Sequence, residues 1–164
     1  MNRSTFMTKI NQQHVWEMIE DINICMFITW DGSRQRARPM AHMPRQDEHA
    51  IYFFTDATAE KDGQIEEFPI VTLTFVDQSK NDYVSLTGTA TLSNDRTKIE
   101  ELWSPMMKSW WDGPEDANLR LIRLVPEDAE AWDGPHDVVS TIKMVAAAAG
   151  LGKPDMGDSG KVRM

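Results

Sequence analysis

Residues 83–92, YVSLTGTATL, alternate without a break: Val84, Leu86, Gly88, Ala90 and Leu92 fall on one side of an extended chain, and Tyr83, Ser85, Thr87, Thr89 and Thr91 on the other. Successive side chains of a strand point to opposite faces, so this stretch predicts a strand with one core face and one hydroxyl-rich face. Its neighbours extend the pattern. PIVTLTFV (69–76) precedes it across the polar link DQSKND, and ICMFITW (24–30), apolar on both faces, runs through the turn Asp31-Gly32-Ser33 into a second strand over 35–43. A third strand is expected over 50–55. The first three strands have no helix between them, and parallel pairing would need a crossover there.

Helical spacing appears only around this core. Ile10, Val15, Met18, Ile19 and Ile22 predict an amphipathic helix before the first strand. Residues 58–68 read as a short helix capped by Thr58 and stopped by Pro69, and Asn94 or Asp95 opens another through Leu102. The Trp-rich stretch 103–116 is a loop or broken helix, 118–125 and 127–133 make a final strand pair bent at Pro126, and 136–149 is a helix ended by Gly150. Six or seven strands joined mostly by short turns, with helices at the edges, predict a mainly β fold: a closed or nearly closed antiparallel barrel with flanking helices. The 164 residues suffice for one core, so residues 1–150 are expected to be a single domain, and 151–164, rich in Gly, Asp and Lys, a tail that is mobile or ordered only against a partner.

Charge and cysteine content narrow the partners. A net charge of −9 opposes binding to nucleic acid or an anionic membrane surface. No apolar run reaches the length of a membrane span, and the opening residues lack the apolar block of a secretory signal, so a cytoplasmic location is expected. The one cysteine, Cys25, lies inside an apolar strand and reads as an inert thiol. Four scattered histidines form no metal-ligand pattern, and no P-loop, GxGxxG or GxSxG occurs.

Two basic features remain. Lys61 falls in the first turn of its expected helix, where the positive end of the helix dipole repels a cation and attracts an anion. Taken alone it reads either as a solvent-facing lysine beside Glu60 or as a phosphate ligand. Arg34, Arg36 and Arg38 recur at period two on one strand face, which reads either as a solvated strand edge or as a row of guanidinium forks for a phosphoester. Trp132 shares its strand face with Asp128 and Glu130, which suits an interface or cofactor role better than a core. Trp110 and Trp111, beside Gly113 and Pro114, could cover a flat ligand or pack a satellite core beneath the loop.

Taken together, RARPMAHM, YFFTDATAEKDGQIEEFPIVTLTFVD and DYVSLTGTATL, in that order, resemble the flavin-binding split barrel of the pyridoxamine 5′-phosphate oxidase superfamily. ELWSP, KSWWDGPED and LRLIRLVPEDAEAWD resemble its general stress protein branch. The resemblance implies FMN as cofactor, with FAD as the alternative, and a homodimer with flavin sites at its interface. It places Arg38 and Lys61, with Arg36 nearby, at the phosphate, and Pro39 and Met40 along the ring. Phe54 and Thr55 would lie beside the ring and ribityl chain. Tyr83 would reach in from the neighbouring subunit; Trp110 and Trp132 are further candidate cofactor contacts by their own positions on the loop and the strand. Departures matter equally. Ala59-Glu60-Lys61 stands where the oxidase has Ser-Arg-Lys, Met43 stands where it has a substrate lysine, and its C-terminal arginine motif is missing. Oxidation of vitamin B6 is therefore not expected. The resemblance implies a stress-linked FMN oxidoreductase; the alternatives are a flavin-binding or flavin-buffering protein without turnover, and a barrel holding another cofactor such as a deazaflavin or haem. No catalytic acid or base is assigned.

Overall fold

The structure, a computed structural model, describes residues 10–134, 150 and 158–164. Helix α1 (Gln12–Asp21) is capped by the Asn11 side chain, which accepts from the backbone N–H of His14. It buries Val15, Trp16, Met18 and Ile19 against the sheet. Strands β1 (Ile24–Trp30), β2 (Gln35–Ala41), β3 (Met43–Arg45) and β4 (Ala50–Asp56) follow, then helix α2 (Glu60–Glu67) and strands β5 (Ile70–Asp77) and β6 (Asp82–Ser93). Helix α3 (Arg96–Leu102) and a 3₁₀ turn at Pro105–Ser109 lead to the long strand β7 (Leu119–Asp133), and β8 (Asp158–Arg163) closes the described chain.

All the strand pairs are antiparallel, in the order β2-β1-β5-β6-β7-β4-β3, with β8 added on β7. The two ends of this path, β2 and β3, are consecutive in the chain and joined through His42 alone. The sheet therefore curls until its edges meet at one end, while the seam opens along the rest of β2. This is the nearly closed antiparallel barrel expected from the strand pattern, and the split barrel that the resemblance implies.

Register explains the core. Phe27 pairs with Leu73 and Leu73 with Leu86, which pairs with Ala129; all four face inward and are buried. Phe27 meets Phe53 edge-on at 5.0 Å between ring centres. Cys25 is buried in the same cluster, and burial pushes its thiol up to about 12, so it stays protonated and inert as expected. The opposite side of the sheet is hydroxyl-rich: Thr72 pairs with Thr87, and Thr74 with Ser85.

Three expectations need correction. The second strand does not run to Met43; it ends at Ala41 and a separate β3 begins at Met43. The expected pair of strands around Pro126 is one strand of 15 residues. The register shifts between Thr87 and Gly88, leaving Glu127 as the extra residue of a bulge next to the proline, and Gly88 pairs with Pro126 so closely that any Cβ would lie 2.4 Å from the Val125 carbonyl oxygen. The C-terminal segment is not all mobile tail: residues 158–163 pair along β7, and the Met164 N–H donates to the Glu127 carbonyl at the bulge. Val162 and Met164 pack on the core there, an apolar contact that Gly, Asp and Lys around them conceal in the sequence. The expected helix over 136–149 and the tail residues 151–157 lie outside the described residues.

Candidate functional site

The seam of the barrel carries two adjoining hollows along β2. The first, about 240 Å³, is lined by Pro39, Met40, Ala41, Met43, Phe54, Met107, Trp110 and Trp111. Its wall is a second apolar cluster in which Trp103 and Trp111 pack on Phe54, each with ring centres 6.1 Å away. Trp111 is thus part of a satellite core, whereas Trp110 is 71% exposed at the rim, so the two readings of this loop apply to different tryptophans. No lining residue of this hollow can titrate.

The second hollow is polar and lies further along β2, lined by Gln35, Arg36, Ala37, Arg38, Glu60 and Gln64. Arg38 pairs with Phe27 on β1 and so faces inward, under α2. Its Nη1 donates to Thr29 Oγ1 at 2.8 Å and its Nη2 to Gln64 Oε1 at 3.4 Å. Burial lowers the pKa of this guanidinium, opposed by the nearby Glu60 charge; arginine nonetheless stays protonated. Arg36 differs: it is half exposed and its Nε donates to Asp31 Oδ2 at 2.7 Å, so its charge is already answered. Arg34 lies in the turn, before the strand begins, where its N–H donates to Asp31. The row of three equivalent guanidinium groups thus reduces to Arg38.

Helix α2 starts two residues later than expected. Thr58 does not cap it; the Thr58 hydroxyl donates to Asp56 at 2.6 Å, and the N-cap position is Ala59, which makes no side-chain cap bond. Lys61 is therefore in the first turn and points inward: its side chain is only 13% exposed, with Nζ 3.9 Å from Asp62 Oδ1. The solvent-facing reading of Lys61 does not hold. Burial lowers its pKa most; Asp62 opposes this shift and the Arg38 charge adds to it. Two cations thus crowd toward one place. Asp62 is buried, accepts from Thr55 Oγ1 at 2.9 Å, and has its pKa raised by burial, against the lowering effects of Thr55 and Lys61.

These shifts predict a pH dependence. The folded pKa of Asp62 lies above its ordinary value, so its favourable contribution is complete below that ordinary value and lost as pH rises through the folded one. Asp62→Asn should accordingly raise the urea midpoint more at about pH 7 than at about pH 4. Equal shifts at both would show that the carboxyl titrates normally.

The other expected site residues separate. Phe54, Pro39, Met40 and Trp110 meet at the apolar hollow, and Thr55 is buried behind it, bonded to Asp62. Tyr83 and Trp132 are cross-strand neighbours on the outer face, each about 40% exposed, and line neither hollow. Thr29, Gln64 and Asp62 were not expected. Thr29 had a signal, as the one polar residue on the inward face of ICMFITW; Gln64, three residues after Lys61 on a helix, had only its spacing. Among the described residues no cluster of ligating side chains could hold a metal, and no helix is long and apolar enough to cross a membrane.

Comparison with known proteins places this geometry. Residues 11–155 match the family described as Pyridoxamine 5′-phosphate oxidase like. General stress protein 26 of Bacillus subtilis is 25% identical over 126 residues, 73% of this chain and 89% of that protein. Protein bli-3 of Neurospora crassa is 24% identical over 113 residues, 63% of this chain but 54% of that longer relative, so the chain spans about half of its length. A crystal structure of general stress protein 26 type from Jannaschia sp. CCS1 superposes with a TM-score of 0.77 at 24% identity, covering 93% of this chain and 97% of that one, and supports the fold. The general stress FMN/FAD binding protein of Xanthomonas citri superposes with a TM-score of 0.69 at 25% identity, over 77% and 91%.

Proposed function

This chain belongs to the pyridoxamine 5′-phosphate oxidase-like family, and from that premise we propose that it binds FMN along β2 and serves as a flavin-dependent oxidoreductase linked to stress. The observation that carries the reading is the order of the two hollows on one strand: an apolar slot with aromatic walls, then an inward arginine and lysine held close enough to repel. FMN has the same polarity from end to end, with a flat ring at one end and a phosphate at the other. Pro39, Met40, Phe54 and Trp110 would hold the ring; Arg38 and Lys61 would hold the phosphate. Thr55, tied to Asp62, would lie beside the ribityl chain. The bound flavin supplies hydride or electron transfer at its N5; the protein supplies position, exclusion of water and charge.

What the residues do is consistent with that division of labour. The apolar slot contains no acid or base, so it can exclude water and orient a ring but cannot move a proton. Two half-buried cations stabilise a phosphate more than surface lysines would, because the surroundings screen them less. Met43 in the slot leaves no cation for a second phosphate on a substrate, which opposes oxidation of a vitamin B6 phosphate. The absence of any titratable wall also favours a second reading, a flavin-binding or flavin-buffering protein without turnover. FAD would satisfy the same ring and phosphate groups as FMN.

The outer face supports a homodimer in this proposal. Val76, Tyr83 and Trp132 form one cross-strand row, each 39–51% exposed. Paired with a second copy, this row would be covered and could bring Tyr83 and Trp132 to the other protomer's flavin. A monomeric mass in sedimentation would overturn that part. The buried, unreactive Cys25 and the net charge of −9 support the part of this proposal that gives the protein a cytoplasmic location and small-molecule partners, with neither nucleic acid nor membrane among them.

Titration of the purified protein with FMN tests the core of the proposal, because Trp110 and Trp111 line the slot, Trp103 packs on Phe54 in its wall, and ring binding should quench their fluorescence. Saturable quenching at about micromolar FMN is expected, in the range of ordinary cofactor affinities; no quenching overturns flavin binding. Anaerobic reduction of the bound flavin by NADH or NADPH then separates enzyme from carrier, with failure of both donors favouring the carrier.

A further inference from the structure

Arg38 is held in an unusual way for a half-buried guanidinium. Its hydrogen-bond partners are a hydroxyl and an amide, not a carboxylate: Nη1 donates to Thr29 Oγ1 at 2.8 Å and Nη2 to Gln64 Oε1 at 3.4 Å. Thr29 in turn donates to the same Gln64 Oε1 at 2.5 Å, closing a three-residue ring across β1, β2 and α2. Thr29 is 1% exposed, and its single proton is committed to Gln64, leaving its lone pairs for Arg38. Gln64 Oε1 faces two donors, which sets the orientation of the amide. Glu60 lines the same hollow, but it is exposed, forms no ion pair with Arg38 within 4 Å and acts on it only through solvent-screened charge. The neighbouring Arg36 shows the contrasting arrangement, because its partner Asp31 neutralises it.

We propose that Gln64 and Thr29 are positioning residues that fix the Arg38 guanidinium without cancelling its charge, and so make this hollow selective for the phosphate end of its ligand. A neutral socket spends little of the cation's field, whereas a carboxylate at either position would compete with the phosphate. The proposal rests on the reading of Arg38 as a phosphate anchor, and its test separates the two. Riboflavin carries the ring and ribityl chain of FMN but no phosphate, so the ratio of the two dissociation constants isolates the phosphate contribution.

Dissociation constants for FMN and riboflavin would be measured by tryptophan quenching on the wild type and on Gln64→Glu, Gln64→Ala, Thr29→Val and Thr29→Ser. Gln64→Glu, Gln64→Ala and Thr29→Val should each weaken FMN by about tenfold or more, the loss expected for hydrogen bonds to a charged group, with riboflavin unchanged within about twofold. Thr29→Ser keeps the hydroxyl and should restore wild-type FMN affinity. A purely structural role would weaken both ligands alike, and that result overturns the proposal. So does a wild-type preference for FMN that persists in every variant. If the wild type binds riboflavin as tightly as FMN, or binds neither, the phosphate anchor fails and this proposal fails with it.

Discussion

Replacing Lys61 with glutamate is expected to weaken FMN binding by about two orders of magnitude, since losing one partner of a buried charge pair and leaving the other unpaired costs about 2–5 kcal/mol. The reason is the burial of the side chain. An exposed lysine near a phosphate would be screened and worth little, but Lys61 is 13% exposed and already carries the cost of desolvation before any ligand arrives. Glutamate there would stand beside Asp62 and in the same turn as Glu60, placing anions where the phosphate should sit. The neutral Lys61→Met apoprotein should still fold, because removing a desolvated cation removes a penalty as well as an attraction, and circular dichroism of the glutamate apoprotein checks that its added carboxylate beside Asp62 has not unfolded it. Isothermal titration with FMN reads the effect directly, and Lys61→Met serves as the neutral control with an intermediate loss. An affinity within about threefold of wild type for the glutamate variant would move the phosphate away from Lys61.

The second large effect concerns stability. Phe27→Ala should destabilise the fold by roughly 3–5 kcal/mol, a large share of the total stability of a domain this size. Phe27 is fully buried at the centre of β1, edge-on to Phe53 and beside Leu73, so truncation opens a cavity that strands on both sides cannot close without losing register. Phe27 also lies opposite Arg38, which ties this core position to the charged hollow on the edge strand. Urea unfolding followed by circular dichroism measures the loss. Trp110→Ala, at an exposed rim position, is the comparison and should change stability by less than about 1 kcal/mol. A Phe27 variant no less stable than that one would contradict the packing described here.

Much of the strand plan was legible because alternation is a local signal. YVSLTGTATL announces a half-buried strand in any context, and the turn residues between strands exclude parallel crossovers. Boundaries were less legible. Thr58 looked like a cap, yet Asp56 captures its hydroxyl first, and α2 begins at Glu60. Pro126 looked like a break, yet Gly88, 38 positions earlier, provides the gap in which the strand continues. The tail looked mobile because nothing within residues 158–163 reveals that β7 offers an unpaired edge.

The candidate site divides along the same line. The residue types of the proposed phosphate cradle, and the aromatic positions beside it, stood in the sequence in the order the proposal uses, because motif order is a property of the chain. The sequence could not separate Arg36 from Arg38, or decide whether Lys61 pointed to solvent. Those depend on which side chains a neighbouring element brings within hydrogen-bond reach: Asp31 reaches Arg36, while Thr29 and Gln64 reach Arg38. Composition and alternation by themselves determined a mainly antiparallel β protein. Only the tertiary structure decided which arginine is paired with a carboxylate and which is held by neutral groups, because the electrostatics of a site depend on burial and neighbours, and both are set by the packing of distant segments.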